Sequence, residues 1–359
     1  VESLGISEEV NFHMKRIAYV GFSLSLILAL ALPGIGQQAK SKPEYDTYSA
    51  FYSEQNPQKK AELGEKFLAD FKDSEYRAPG YQLLVNAYYQ AQNWAKVIEV
   101  TDRFDQELPN ADAKAKAPIY ARAMAAAQQT NNFEKTVVYG EKVLAVEPND
   151  VNTQLTLSSV IPERLPSDEA GKKAALDKAF DLATKAKASV DKIFSGPKPA
   201  NMSDDQWNKE KSNIQAQLHS TLGLIHLNRQ EYDQSVEEYG AAVKENAKDG
   251  IAQYRLGLAY QGQAGAAGRA LQDAVKAEND AKAAKAENVS ELVSKREALE
   301  KTAREKRDLA IDSLAKAVAI GGVVAQPARE QLERLYKLKN NDSLEGLDQL
   351  IAEKKSQLG

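Results

Sequence analysis

Three histidines, His13, His219 and His226, and two acidic pairs, Asp204-Asp205 and Glu237-Glu238, are where acid–base or metal chemistry could begin in this chain of 359 residues. His219 and His226 stand seven apart, whereas metal-binding histidines on one helix stand four apart, as in H-E-x-x-H. At seven they share a helix face as packing residues. The acidic pairs fall at a helix start and on a helix surface, with no catalytic neighbour spaced to join them, so they read as solvated. Gly262, Gly265 and Gly268 are spaced like a phosphate loop, but no strand precedes them and no Gly-Lys-Ser/Thr follows, so they read as a flexible helix junction. The chain contains no cysteine, which excludes disulfides, thiolate catalysis, Cys-based metal sites and an acylated lipoprotein anchor. No catalytic residue, cofactor or metal is expected.

Composition points the same way. A net charge of -4 without a basic stripe argues against a nucleic-acid partner. With 43% hydrophobic and 27% charged residues the chain can bury a core. Alanine, lysine, glutamate and leucine dominate and β-branched runs are few, which favours helices throughout.

The stretch 216–263, AQLHSTLGLIHLNRQEYDQSVEEYGAAVKENAKDGIAQYRLGLAYQGQ, contains one helical pattern twice. Leu222-Gly223 and Leu256-Gly257 are 34 residues apart, and each Gly is followed three residues on by a ring, His226 and Tyr260. Leu222 and His226, then Tyr232, Ser235, Tyr239, Ala242 and Val243 beyond Asn228-Arg229-Gln230, recur at helical spacing. Gly223 and Ala242 are small enough to let two helices approach while larger side chains fill the space beside them. One such hairpin buries too little to stand alone and must stack on neighbours. These residues resemble the tetratricopeptide repeat family, whose period is 34. His219 stands for the family's opening large residue, Leu222-Gly223 for its Leu-Gly pair and His226 for its tyrosine. Ser235, Tyr239 and Ala242 stand for the alanine, aromatic and alanine of the second helix, and Ala247 replaces the closing proline. The resemblance implies an all-α fold of antiparallel helix pairs stacked as a right-handed superhelical solenoid.

It also implies a groove lined by the first helix of each pair, on the face turned away from the Leu-Gly pair. Carried across residue by residue, that face comprises Gln82, Asn86, Tyr89 and Gln90 in one hairpin and Gln128 and Gln129 in the next. In the 216–263 stretch it comprises Gln217, Ser220, Asn228, Tyr254 and Gln261. The set is neutral, amide-rich and tyrosine-bearing. Family members that grip a terminal carboxylate use Lys and Arg at such places, so this set suits hydrogen bonds to peptide backbone and ring contacts instead. The alternative is that these are solvated polar residues with no ligand.

Along the chain, Met14-Lys15-Arg16 followed by an apolar run and Pro33-Gly34-Ile35-Gly36 reads as a bacterial secretory signal over 14–36. Left uncleaved, residues 17–36 would be an inner-membrane anchor, although the apolar run is shorter than the roughly 20 residues that span a bilayer comfortably. Residues 1–13, acidic ahead of a basic start, are expected to be a mis-called upstream segment, and 37–44 a linker. A repeat array is expected over 45–194, with Leu84, Tyr88, Trp94, Val97, Phe104 and Pro109, then Tyr120, Ala123, Ala127, Phe133, Val143 and Pro148, keeping one register. Trp94, Phe133 and Tyr232 each follow Leu84, Ala123 and Leu222 by ten residues, which suits packing between helices rather than a ligand cage. The proline-bearing segment 195–203 is the expected hinge, and 204–359 a second array. There the second-helix pattern due after Gln263 returns only at Ala310, Leu314, Ala317 and Val318. Residues 264–308 are therefore expected to be an inserted helical hairpin, with heptad-like spacing at Leu292, Leu299 and Ala303.

The expectation for function is an exported, non-enzymatic scaffold, periplasmic or secreted, that holds another protein or peptide of the cell envelope. It has no nucleic-acid partner, and it touches a membrane only through the N-terminal segment if that is uncleaved. The alternatives are a membrane-anchored assembly factor and an accessory domain of an envelope enzyme.

Overall fold

Caps set the helix boundaries. In the computed structural model, which describes residues 40–358, the side chains of Ser41, Asn56, Asn93, Asp112, Asn132, Asp150, Asp168, Ser203 and Asp249 each accept a backbone N–H from the first turn of the helix that follows. They satisfy donors that a helix leaves open at its start. Fourteen α-helices are formed among the described residues: α1 (Lys42–Ser53), α2 (Pro57–Asp70), α3 (Arg77–Gln90), α4 (Trp94–Glu107), α5 (Ala113–Gln129), α6 (Phe133–Val146), α7 (Val151–Val160), α8 (Glu169–Ser195), α9 (Asp204–Asn228), α10 (Tyr232–Glu245), α11 (Gly250–Ala283), α12 (Val289–Ile320), α13 (Ala325–Lys339) and α14 (Leu347–Leu358). The expectations for 1–13 and 14–36 lie outside the described residues. The expected linker 37–44 is shorter than read, because Ser41 caps α1 and Pro43 occupies its first turn, where proline is preorganised.

One turn is built five times over among the described residues, at Gln92, Asn131, Gln230, Lys285 and Asn341. Gln92, Asn131 and Gln230 adopt φ of 55°, 53° and 60°, and the next amide in each case reaches back to close the helix: Asn93 to the Tyr88 carbonyl (2.9 Å), Asn132 to Ala127 (2.8 Å) and Glu231 to His226 (2.9 Å). This is the Schellman closure with a left-handed residue after the helix. It makes α3–α4, α5–α6 and α9–α10 antiparallel hairpins. After each second helix the chain runs to an aspartate cap, Asp112, Asp150 or Asp249, that opens the next first helix.

The described chain divides into two units between Arg164 and Leu165. In the first, α1 to α7 each pack on the next and α3 also packs on α5. Phe51, Phe67, Tyr81, Leu84, Val97, Phe104 and Tyr139 lie in one fully buried core. In the second, α8 to α13 pack in the same way and α14 packs on α12. The segment 195–203, expected as a hinge between arrays, is instead a turn inside this second unit. Phe194 packs on Trp207 with ring centroids 4.6 Å apart, and Lys198 bonds the Met202 carbonyl (2.7 Å) and pairs with Asp204 (2.8 Å). Its composition is that of a break, but the contacts around it join α8 to α9.

Close approach explains the glycines of the 34-residue step. A Cβ on Gly223 would lie 2.9 Å from the Tyr239 ring, and one on Gly257 would lie 2.7 Å from Leu314. Leu314 on α12 thus does for Gly257 what Tyr239 on α10 does for Gly223. The residues between, 264–308, are not separate helices: they are the far halves of α11 and α12, which run unbroken from the repeat. Gly262, Gly265 and Gly268, expected as a flexible junction, lie inside continuous helix. Gly262 accommodates the Tyr232 ring, where a Cβ would sit at 2.3 Å, while Gly268 faces open space. Along the far halves, Ala267, Leu271, Ala274, Glu278 and Ala281 on α11 and Leu292, Arg296, Leu299 and Ala303 on α12 are less exposed than their neighbours. Their alternating steps of four and three are those of a coiled-coil seam. Glu278 sits in that seam, buried, bonded by Arg296 (2.8 Å) and Lys282.

Candidate functional site

In the first unit the expected groove residues share the surface of α3 and α5, but they do different work. Gln82 donates to the carbonyls of Lys114 (2.9 Å) and Ala115 (3.2 Å), and Asn86 accepts from the Arg122 guanidinium (2.9 Å). These two side chains are spent on holding α5 against α3. Tyr89, half-buried, meets Trp94 edge-on with ring centroids 5.2 Å apart, and its hydroxyl makes no hydrogen bond among the described residues. The side chains of Gln90 and Gln129, exposed, and of Gln128, half-buried, likewise have no hydrogen-bond partner among the described residues.

Arg122 was absent from the expected set. It is half-buried, it bonds only Asn86 and, at 3.4 Å, the Pro118 carbonyl, and no carboxylate among the described residues pairs with it. Burial draws its pKa below the ordinary arginine value, an effect that nearby Tyr89 only partly offsets. The register did contain the signal. Arg122 precedes Ala123 as Leu83 precedes Leu84, and it lies two turns before Gln129 on the same stripe.

In the second unit the expected residues are more varied. Among the described residues the Gln217 side chain, half-buried, has no hydrogen-bond partner, and Ser220 Oγ and Gln261 Oε1 are buried without one. Buried unpaired oxygens of this kind cost about 1–3 kcal/mol each unless a water or another group answers them. Tyr254 packs beside the cluster of Leu314, Leu332 and Leu335, and Asn228 is half-buried as the last residue of α9.

The strongest polar chemistry lies where the second helices α2, α4 and α6 meet α3, α5 and one another, on carboxylates that the sequence did not single out. Tyr139 donates to Asp102 (2.5 Å), which also accepts from Lys135 (2.8 Å), and Tyr120 donates to Asp105 (2.5 Å), which pairs with Lys142. Tyr81, stacked near both Arg77 and Arg103, donates to Glu107 (2.5 Å), and Tyr88 donates to Glu65 (3.1 Å). Burial first, then the adjacent carboxylate, pushes the Tyr139 and Tyr120 phenols up, and Tyr88 up to about 12. Phenols held neutral against committed carboxylates are clamps rather than proton donors, within one hairpin at Tyr81 and between successive hairpins at Tyr88, Tyr120 and Tyr139. His219 and His226 are answered separately, by Glu238 (2.7 Å) and Glu231 (2.6 Å), so each is tied to the second helix or turn of its own hairpin. The expected packing rings behave accordingly: Trp94 lies on Tyr89, Tyr232 against Gly262, and Phe133 beneath the Arg164 guanidinium at 5.5 Å.

No family model and no curated protein matches the chain. Among solved structures it is similar to a tetratricopeptide repeat protein from Parabacteroides merdae ATCC 43184, at 13% identity and a TM-score of 0.37, over 82% of this chain and 100% of that one. So distant a likeness says nothing about a partner. The all-α fold of successively packed helix pairs stands on the chain's own turns, caps and glycine contacts, and it is in these that the chain resembles tetratricopeptide repeats.

Proposed function

We propose that the protein is a non-catalytic scaffold that holds another protein of the bacterial cell envelope along the first helices of its hairpins. The observation that carries this is the set Tyr89, Gln90, Gln128 and Gln129, which projects unused hydrogen-bonding groups from the joined α3–α5 surface. Amide side chains both donate and accept, and a half-buried tyrosine adds a rigid ring, a combination that suits an extended polypeptide. The tyrosine–carboxylate clusters between the helices are already satisfied internally and offer less. Export rests on the basic and apolar pattern of residues 14–36. The test is affinity capture from an envelope fraction with the wild type and with a Tyr89→Ala, Gln90→Ala, Gln128→Ala, Gln129→Ala variant of unchanged helical signal. The same co-purifying protein should be captured by the first and lost by the second; equal capture by both would place the interface elsewhere.

A further inference from the structure

Acids are absent from three helices of the first unit. Helices α3, α5 and α7 contain no aspartate or glutamate, and their charged residues are Arg77, Lys114, Lys116 and Arg122. The acids that answer cations in this unit sit largely on α2 and α4: Glu65, Asp102, Asp105 and Glu107 pair with Arg103, Lys135, Lys142 and Arg77. Arg77 is spent in that pairing, and Lys116 donates to the Pro109 carbonyl (2.7 Å). Arg122 is different. It is half-buried, aimed by Asn86 across the α3–α5 contact, and left without a carboxylate. Taking a guanidinium out of water costs free energy that a partner charge normally offsets. Here the chain supplies only an amide oxygen and a distant carbonyl, so part of the guanidinium fork stays unbonded, near Tyr89 and on the same helix as Gln128 and Gln129.

We infer that Arg122 is the charge-selective anchor of the α3–α5 surface, receiving an aspartate or glutamate side chain from an extended segment of the partner. This deepens the scaffold reading and rests on it. A carboxylate fits the site for two reasons: it matches the fork of a guanidinium, forming shorter and stronger hydrogen bonds than a neutral oxygen, and it meets no acid on α3, α5 or α7 to repel it. The amides further along α3 and α5 then take the backbone beyond the carboxylate, and the nearby Tyr89 ring shields the ion pair from water.

The test uses the full chain and three pools of short peptides with random flanks. Two pools are acetylated and amidated, with Glu or with Gln at the centre; the third has Gln at the centre and a free C-terminal carboxylate. Immobilised protein should retain the Glu pool about tenfold over the Gln pool, by the usual worth of a charge-assisted pair. Added salt should shrink that preference. Arg122→Gln should erase it, and Arg122→Lys, which keeps the charge without the fork, should keep part of it. Equal retention of the Glu and Gln pools, or a preference that survives Arg122→Gln, overturns the anchor and leaves the scaffold reading intact. Dominance of the free-carboxylate pool overturns the side-chain assignment. Retention of no pool at all overturns both.

Discussion

Gly223 and Gly257 owe their identity to the residue that faces each one. The missing Cβ leaves room for the Tyr239 ring and for Leu314, both fully buried. Gly223→Ala or Gly257→Ala should therefore overpack a helix pair and cost about 1–3 kcal/mol, despite the better helix propensity of alanine; the change in denaturant midpoint checks it. An unchanged midpoint would mean that the helices separate at no cost. The carboxylates of the second helices set a different limit. Burial opposes the charge on Asp102, yet hydrogen bonds from Lys135 and Tyr139 hold its pKa below the ordinary carboxylate value. Its contribution is present above the unfolded pKa of about 4 and is lost as pH falls through the lower folded value. Asp102→Asn should lower stability at neutral pH and flatten the loss on acidification below about pH 4, read by urea titrations across pH. Arg122 shows why the groove was only partly legible: amide and tyrosine positions follow from register, but whether a side chain is free depends on which helix it reaches. Gln82 and Asn86 reach α5 and are used up, while Gln90 and Gln129 reach nothing.

At the scale of elements, the turns repeat more faithfully than the residues that make them. Gln92, Asn131 and Gln230 adopt the same left-handed conformation, which costs a side-chain-bearing residue about 1–2 kcal/mol. Gln230→Gly should recover part of that, raising stability by about 0.5–1 kcal/mol after the entropy glycine adds to the unfolded chain; a fall would show that the Gln230 side chain holds the turn. The hairpin register could be read from Leu222-Gly223 and Leu256-Gly257 because the close approach they permit is local and periodic. The continuity of α11 and α12 was harder to read. Three glycines within seven residues suggest a break, yet one accommodates Tyr232 and the others sit where the seam of Ala267, Leu271 and Ala274 takes over. Beyond Gln263 the named polar contacts of that far half run to Arg296 and along α11 itself. Replacing residues 266–306 by a short turn should thus leave a folded, cooperatively melting chain, checked by circular dichroism; loss of the melting transition would make the arms part of the core.

Within each unit the helices form a chain of neighbours in which each packs chiefly on those next to it, so stability accumulates from hairpin to hairpin. Two units nevertheless separate, between Arg164 and Leu165, because each builds its own buried clusters: one rich in rings from Tyr48 to Tyr139 in the first, and mainly aliphatic ones around Tyr239 and Leu314 in the second. The sequence placed the break at 195–203 because proline and glycine mark a local change of direction, whereas a unit boundary is decided by which buried side chains meet across many residues. That difference has a thermal signature. Gly257→Ala disturbs only the packing of α11 on α12, and Asp102→Asn only the contact of α4 with α6. Calorimetry of the full chain should therefore resolve two transitions, with Gly257→Ala lowering one and Asp102→Asn the other. A single transition that both substitutions shift alike would mean that cooperativity runs through residue 164 undiminished.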